Sequence, residues 1–320
     1  MSAAPTLTPE VGAAVDETVA YLASDEAAAS IARNLYWPKW DSPWWRMSLL
    51  HELGLGDRIP ARAARLMAEA LNGQCLRFFP LRPEDVPAGV DSELNAACHC
   101  QVGNGARFLH AAGIDVEAEI PWVRDWLLRY QLPDGGLNCD ERVYLRPVPR
   151  SSFCSTLPAA EAVLDAFAAG RPPTREEAAF LDRAAGYLLA RRLAFSLSKG
   201  GAVADPVFLE PCFPRFYEYD VLRGLRFLAR YAARTGRTLP PDALTEAVSI
   251  ADRLVGHGSP PWAPRRFHET QPTRRQDASG AWYRAPRAGT FPLLDLAAGP
   301  LGAETLRREW AETRARLGLG

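Results

Sequence analysis

Apolar residues recur at helical spacing along almost the whole 320-residue chain. In the first such stretch, "TPEVGAAVDETVAYLASD", Thr8 and Pro9 suit a helix start, and apolar residues follow at 11, 15, 19 and 22. The alternating, β-branched runs that a sheet requires are missing. The sequence therefore predicts an all-α protein without strands.

The same periodicity predicts helices over 41–53, 59–71, 92–112, 119–130, 151–168, 175–192, 215–233, 242–254 and 303–317. Two kinds of helix alternate. Segments such as "DSELNAACHCQVGNGARFLHAAGI" begin with a polar or aromatic loop and continue with apolar residues. This pattern predicts that the helix is buried. Segments such as "TREEAAFLDRAAGYLLARRL" carry charges on one side, which predicts an outer position. The starts of the buried segments follow one another at roughly similar intervals along the chain. This spacing indicates an internal repeat of helix pairs.

Repeated helix pairs stack as an open solenoid or close into a toroid. The starts of the predicted inner helices are rich in Trp, Tyr, Cys, Asp and Glu. A toroid would gather these starts at one end of a central cavity, whereas a solenoid would spread them along a ridge. We therefore expect one (α/α) toroid domain over 1–320, with inner and outer helices.

Composition narrows the function classes. The formal charge of -1 gives no electrostatic reason to expect nucleic acid as a partner. No stretch has 18 uncharged apolar residues, and the first residues lack a basic, then apolar, leader pattern. We therefore expect a cytoplasmic protein without a transmembrane segment. Its six cysteines are too sparse for a disulfide framework, so we expect thiols that are packed, metal-bound or catalytic.

One motif resembles a known family. "WLLRYQLPDGGLNCD" is similar to the Gln-Trp motif of terpenoid cyclases and protein prenyltransferase β subunits, although Leu137 stands where that motif has Trp. "SSFCSTLPAAEAVL" and "FPRFYEYDVLRGLRFL" resemble segments of bacterial proteins in this squalene-cyclase-like superfamily. The resemblance covers about 36–235. It implies an (α/α) toroid with an apolar central cavity, and a cyclase, isomerase or transferase acting on an apolar, isoprenoid-like molecule.

The acidic motifs that give these families their chemistry are absent. Neither Asp-x-Asp-Asp nor Asp-Asp-x-x-Asp occurs, so neither mechanism transfers directly. In the motif that is present, Gln131, Asp134 and the two following glycines suit a helix end and a tight turn. They do not account for Cys139, Asp140 and Glu141, which follow the turn.

The first hypothesis for these residues is a metal site. Cys139 and Asp140 on a loop, Cys154 at a helix start, and Glu218 would supply sulfur and carboxylate ligands, with His99 or Cys212 as alternatives to Glu218. Zinc accepts this mixture of ligands, and a helix start favours the thiolate that zinc needs. Zinc is therefore the predicted cofactor.

The second hypothesis is general-acid catalysis by Asp140 or Glu141. Burial beside apolar walls would raise the carboxyl pKa, so that the group could protonate an alkene or epoxide. Tyr219 and Asp220, at the start of another predicted inner segment, are further catalytic candidates. The alternative for Asp140 and Glu141 is a solvated loop.

"CHCQVGNG" is a third candidate. Cys98 and Cys100 lie two positions apart in a predicted helix, so their side chains would point in different directions unless the helix began between them. The stretch is similar to the Cys-His-Gly zinc motif of lanthipeptide cyclases, which are also toroids. We expect packing instead, with Gly103 and Gly105 permitting close approach.

Aromatic residues crowd "YWPKWDSPWW". We expect Trp40, Trp44 and Trp45 either to form a core or, together with His99, Phe153 and Tyr217, to line the cavity that holds an apolar small molecule.

The irregular segment 256–290 carries several arginines that suit an anionic group, and predicts a lid or a linker. If the chain is not an enzyme, the alternative is a non-catalytic toroid that binds an apolar ligand or a partner peptide.

Overall fold

The computed structural model describes residues 7–80, 82–166, 171–256, 263–287 and 289–319, and it is mostly helical. The α-helices within these ranges are α1 (Pro9–Ala23), α2 (Asp25–Arg33), α3 (Pro43–Glu52), α4 (Ala61–Gln74), α5 (Ser92–Asn95), α6 (His99–Ala111), α7 (Val116–Glu119), α8 (Trp122–Arg129), α9 (Phe153–Ala166), α10 (Arg175–Ala190), α11 (Val221–Thr235), α12 (Pro241–Ala251), α13 (Pro292–Ala297) and α14 (Pro300–Leu317). Short 3-10 helices lie at Gly56–Arg58, Pro83–Asp85, Glu141–Leu145, Leu197–Lys199, Pro206–Leu209 and Phe267–Thr270, and a π-helical turn lies at Asp252–Gly256. The predicted helical class is confirmed. Within the described ranges, no helix is long and apolar enough to cross a bilayer.

Two predicted helices differ from those in the structure, one in its start and one in its continuity. The helix expected from 215 begins at Val221, because the Asp220 side chain accepts a hydrogen bond from the Arg223 backbone N–H at 2.8 Å and caps the helix there. The helix expected over 92–112 is divided into α5 and α6. Between them the chain is extended, and Ala96 forms an isolated bridge with Leu76.

The prediction that the chain has no strands is wrong. β1 (Thr273–Gln276) and β2 (Trp282–Ala285) pair antiparallel, with Thr273 opposite Ala285 and Gln276 opposite Trp282. Four-residue strands are too short to show a clear alternating pattern in the sequence.

This hairpin belongs to the segment 256–290 that was predicted to be an irregular lid or linker, of which 257–262 and 288 lie outside the described residues. Its turn is closed by Asp277, whose carboxylate accepts the backbone N–H groups of Ser279 and Ala281 at 2.8 and 3.1 Å. The Lys39 backbone N–H donates to the Thr273 side-chain oxygen at 2.6 Å. The hairpin is therefore attached to the loop that precedes α3.

Small residues allow α6 to pack closely against its neighbours. A Cβ on Gly103 would lie 2.5 Å from the carbonyl carbon of Pro158 in α9, and one on Gly105 would lie 2.6 Å from the Trp44 ring in α3. Both distances are shorter than any normal contact, so the larger side chain would force the helices apart. The predicted role of Gly103 and Gly105 in close packing is confirmed.

The helix contacts form a closed circuit. Each helix contacts the next in the order α1, α3, α6, α9, α11, α14 and α13, and α13 in turn contacts α1. Further helices pack against members of this circuit: α8 contacts α6, α10 contacts α9, and α12 contacts α11. The circuit consists mainly of the segments that were predicted to be buried.

Charged residues are buried between helices of this circuit. Glu161 of α9 is fully buried and binds three arginines at 2.7 to 2.8 Å: Arg107 of α6, and Arg223 and Arg226 of α11. Burial alone raises the pKa of Glu161, but the three guanidinium charges outweigh burial and hold that pKa well below its usual value. Glu161 is therefore a carboxylate in the folded protein.

Neighbouring pairs extend this network. Asp165 binds Arg107 at 3.0 Å and also pairs with Arg230. Glu309 of α14 binds Arg226 at 3.0 Å and Arg215 at 2.7 Å. The network therefore links α6, α9, α11 and α14 by ion pairs as well as by apolar packing.

We predict that Glu161→Gln lowers the free energy of unfolding by about 3–5 kcal/mol, because it leaves buried arginines without their counter-charge. Asp16→Asn is the control: Asp16 pairs with Arg58 on the surface, where its side chain is 72 % exposed, and its loss should cost less than about 1 kcal/mol. Urea unfolding monitored by circular dichroism measures both. Equal effects of the two changes would contradict a structural role for the network.

Acid should remove the same stabilisation. The folded-state pKa of Glu161 lies below the value of about 4.3 for an unfolded chain, so its contribution is complete above that value and is lost as the pH falls below it. The parent protein should therefore lose more stability than the Glu161→Gln variant between neutral and acidic pH. Parallel urea titrations at several pH values test this, and identical pH dependence of the two proteins would refute it.

Candidate metal centre

Three thiols meet at the start of α6. The sulfur atoms of Cys98, Cys100 and Cys139 all lie within 4.8 Å of one another, and those of Cys98 and Cys100 are 3.4 Å apart. We call them the three-cysteine cluster. Among the residues that the structure describes, it is the one group of three or more Cys, His, Asp or Glu side chains arranged to hold a metal ion.

The expectation that Cys98 and Cys100 point in different directions is wrong. The helix α6 begins at His99, and Cys98 precedes it as the N-cap residue with extended backbone angles, φ −117° and ψ 155°. The helix therefore begins between the two cysteines, which brings their thiols together. The only sequence signal for this was the uncertain position of the helix start.

Cys139 reaches the cluster from the loop after the Gln131 motif. Its backbone N–H donates to the Ser155 side-chain oxygen at 2.9 Å, and the Leu137 N–H donates to the Thr156 hydroxyl at 2.9 Å. Ser155 and Thr156 belong to the first turn of α9. The loop is thus attached to the start of α9, and α9 packs on α6.

The motif itself has the predicted structural role. The Gln131 side-chain amide donates to the carbonyls of Gly135 and Phe180 at 2.7 and 2.9 Å. Gly135 has φ +97°, which favours glycine, and Asp134 accepts the Ser151 backbone N–H at 3.1 Å. These bonds fix the turn that leads into the Cys139 loop.

His99 is a structural member of the site. Its Nδ1 accepts a hydrogen bond from the Trp126 indole at 3.0 Å, so the proton of the neutral ring is on Nε2, which lies 3.1 Å from the Tyr144 hydroxyl. The Tyr144 hydroxyl donates to the Tyr130 carbonyl and accepts the Asn138 N–H at 3.2 Å. Burial lowers the pKa of His99 to about 4. Because both ring nitrogens are engaged, the neutral ring helps to hold the Cys139 loop, and neither nitrogen is available to bind a metal.

The three thiols divide their protons unequally. Hydrogen bonds from Cys100 and Cys98 lower the pKa of Cys139 well below its usual value, although burial opposes this effect. The bond to Cys139 is the largest cause that raises the pKa of Cys100, and the pKa of Cys98 is raised as well. The Cys100 backbone N–H, at the start of α6, also lies 3.5 Å from the Cys139 sulfur. Without a metal, Cys139 is therefore the thiol of the cluster that loses its proton most readily.

The structure contradicts the general-acid hypothesis for Asp140. Its side chain is 37 % exposed and accepts hydrogen bonds from the Arg142 guanidinium at 3.0 Å and the Arg142 backbone at 3.1 Å. The guanidinium bond lowers the pKa of Asp140, whereas a general acid needs a raised value. The carboxylate faces water and an arginine instead of apolar walls. Glu141, partly buried at the start of the next 3-10 helix, stays a candidate.

The predicted metal ligands are divided between two places. Cys139 lies in the three-cysteine cluster, whereas the Cys154 thiol donates to the Glu218 carboxylate at 3.1 Å. Within the described ranges, Asp140, Cys154 and Glu218 belong to no group of three potential ligands. Burial first, and then the charges of Cys100, Glu218, Cys98 and Cys154, raise the pKa of Tyr217. The predicted convergence of these segments in a toroid stays a prediction.

Other predicted site residues make internal contacts. The Tyr219 hydroxyl donates to the Leu193 carbonyl at 2.5 Å, and its ring stacks on Phe153 with centroids 4.7 Å apart. Asp220 binds Arg215 at 2.7 Å in addition to capping α11. All three predicted residues, Phe153, Tyr219 and Asp220, are buried.

The tryptophans of the aromatic stretch are also buried. Trp40, Trp44 and Trp45 are at most 1 % exposed. The Trp45 indole donates to the Tyr36 carbonyl at 2.9 Å, and Trp44 packs edge-on against Phe108. These are the contacts of a core, which was one of the two expectations for this stretch.

Comparison of the chain with protein families, with curated proteins and with solved structures gives no significant match. The resemblance to terpenoid cyclases and prenyltransferases therefore stays a prediction from the motif.

We predict that Cys139 is the most reactive thiol in metal-free protein. At neutral pH iodoacetamide should alkylate Cys139 about tenfold faster than Cys75, because the alkylating step requires a thiolate. Burial raises the pKa of Cys75 to about 12, and Cys75 is partly exposed like Cys139, which makes it a matched control. Peptide mass spectrometry over time measures both rates. Faster alkylation of Cys75 would contradict the proton distribution described above.

Proposed function

We propose that the protein is a zinc-dependent enzyme whose metal is held by Cys98, Cys100 and Cys139. The observation that carries this proposal is the three-cysteine cluster at the start of α6. The proposed substrate is an apolar, isoprenoid-like molecule, and the proposed reaction class is cyclisation, isomerisation or group transfer assisted by the metal.

The donor set suits zinc. Tetrahedral zinc–thiolate bonds of about 2.3 Å place sulfur atoms roughly 3.8 Å apart, which is close to the 3.4 Å between Cys98 and Cys100. Thiolates favour soft or borderline cations, whereas magnesium and calcium require oxygen. Three protein ligands leave the fourth tetrahedral position open, as in catalytic zinc sites.

Residues around the cluster support its use in catalysis. When bound, zinc would supply a Lewis acid at its open position. Cys98 and Cys139 are partly exposed, so the cluster is not sealed within the protein. Burial first, and then the charges of Tyr217 and all three clustered cysteines, raise the pKa of Tyr36 well above its usual value. The rings of Phe79 and Trp126 pack against His99, which lies between the two cysteines of α6, so aromatic groups lie beside the thiols, as an apolar substrate requires.

The closed circuit of helix contacts supports a toroid. An open solenoid has two free ends, whereas here α13 and α14 connect α11 back to α1. In the proposed toroid the starts of α6, α9 and α11 share one end. Three contacts support this: the Cys100 N–H to the Cys139 sulfur, the Cys139 N–H to the Ser155 hydroxyl, and the Cys154 thiol to the Glu218 carboxylate.

Two alternatives make different predictions. A non-catalytic toroid would bind an apolar ligand or peptide and release it unchanged, so full recovery of added farnesyl diphosphate and squalene as probes would favour it. A zinc toroid of the lanthipeptide-cyclase type would use the histidine of its Cys-His motif as a ligand. The engagement of both His99 nitrogens by Trp126 and Tyr144 speaks against that ligand set.

We predict that protein purified without added metal contains about one zinc ion per chain, bound by the three clustered thiolates. Cys98→Ser, Cys100→Ser and Cys139→Ser should each lower zinc content at least about tenfold, because a serine hydroxyl is not ionised at neutral pH. Cys154→Ser and Cys75→Ser are matched controls and should keep the metal. Inductively coupled plasma mass spectrometry gives the stoichiometry, and circular dichroism checks folding.

Zinc retained in all three cluster variants, or lost equally in the two control variants, would disprove the assignment of ligands. A parent protein that takes up no zinc after dialysis against zinc chloride would disprove the metal centre itself.

A further inference from the structure

The three-cysteine cluster has a second chemical capacity besides binding a metal. Two thiols can be oxidised to a disulfide when their sulfur atoms approach to the bond length of about 2.05 Å. The sulfur atoms of the cluster all lie within 4.8 Å of one another. Forming a disulfide therefore takes a movement of less than about 3 Å, so oxidation does not require the helices to separate.

Exposure and backbone position distinguish the three thiols. Cys98 and Cys139 are partly exposed, whereas Cys100 is buried. Cys98 is the N-cap of α6 and has extended backbone angles, and Cys139 lies in the loop before the 3-10 helix Glu141–Leu145. Because neither residue is inside a helix, no preceding helical turn restricts the rotation of its side chain. Cys98 and Cys139 are therefore the two thiols that an oxidant reaches and that can move together.

A disulfide between Cys98 and Cys100 is less favourable, although their sulfur atoms are only 3.4 Å apart. It would close a small ring through His99 alone, and strain makes a disulfide easier to reduce. The His99 ring is held on both sides, by Trp126 and by Tyr144, which opposes a change of backbone there. A disulfide from Cys98 to Cys139 closes a long loop instead and leaves His99 in place.

We propose that Cys98 and Cys139 form a reversible disulfide when the protein meets a peroxide, and that this reaction controls the metal centre. One sulfur attacks an oxygen of hydrogen peroxide, the oxygen–oxygen bond breaks, and a sulfenic acid and water form. The second thiol attacks that sulfur, the sulfur–oxygen bond breaks, and the disulfide and another water form. Two thiols are thereby oxidised, and one peroxide is reduced to two water molecules.

The effect on the metal rests on the proposed function. If zinc is bound by Cys98, Cys100 and Cys139, the disulfide removes two of its three protein ligands. Zinc sites in proteins need three or four protein ligands, so the remaining thiolate does not hold the ion. Oxidation then releases zinc, and reduction by a dithiol restores the ligands. The disulfide itself needs only the two thiols and the peroxide, so it forms in metal-free protein as well.

Peptide mass spectrometry tests the disulfide. The full-length protein, with and without bound zinc, is treated with hydrogen peroxide, blocked with iodoacetamide and digested with trypsin without reduction. Cys98 and Cys100 share the tryptic peptide 78–107, and Cys139 lies in the peptide 130–142. A link between these two peptides should be at least about tenfold more abundant than any other, because the second step needs a neighbouring thiol. The cysteines outside the cluster are internal controls: Cys75, Cys154 and Cys212.

Two variants identify the pair of thiols. Cys98→Ser should abolish the link between the two peptides, whereas Cys100→Ser should keep it, and circular dichroism checks that both variants are folded. A link that persists in Cys98→Ser, or that disappears in folded Cys100→Ser, would overturn the assignment of the pair. Absence of the linked peptide from peroxide-treated, metal-free parent protein would overturn the disulfide.

Zinc release separates this inference from the proposed metal centre. A metallochromic dye should record zinc leaving the parent protein as the linked peptide accumulates, and dithiothreitol with zinc chloride should reverse both changes. A linked peptide in a protein that never binds zinc would refute the metal centre and support the disulfide. Zinc that stays bound while the linked peptide forms would overturn the control of the metal by oxidation.

Discussion

The buried carboxylate of Glu161 is the interaction on which the rest of the structure depends. Moving one carboxylate and three arginines from water into the interior is costly, and only close pairing offsets that cost. Glu161 provides this pairing for Arg107, Arg223 and Arg226, which come from two helices. No apolar residue at 161 could satisfy these arginines, so the network fixes how α6, α9 and α11 meet.

The three-cysteine cluster depends on this arrangement. Cys98 and Cys100 belong to the start of α6, while Cys139 is held by Ser155 at the start of α9. The two helix starts meet because the helices pack closely at Gly103 and share the Glu161 network. A shift of one helix along the other would separate sulfur atoms that now lie within 4.8 Å. The interior ion pairs thus position a site that they do not touch.

Two groups of this structure have shifted pKa values. Hydrogen bonds from neighbouring thiols lower the pKa of Cys139, and burial lowers the pKa of Lys39, although the charges of Cys100 and Cys98 oppose the shift at Lys39. Perturbed groups of this kind concentrate at functional sites.

The sequence by itself determined the helices and the turn at Gln131, because apolar spacing, capping residues and glycine act over a few neighbouring residues. It also indicated that Gly103 and Gly105 permit close packing. Only the tertiary structure decided the rest. The helix start at His99 turned two cysteines toward Cys139. Exposure to solvent and the bond to Arg142 removed Asp140 from the acid role, and the Tyr217 ring approached Lys39 from a distant segment. Burial and long-range partners set these outcomes, and neither is a local property of the chain.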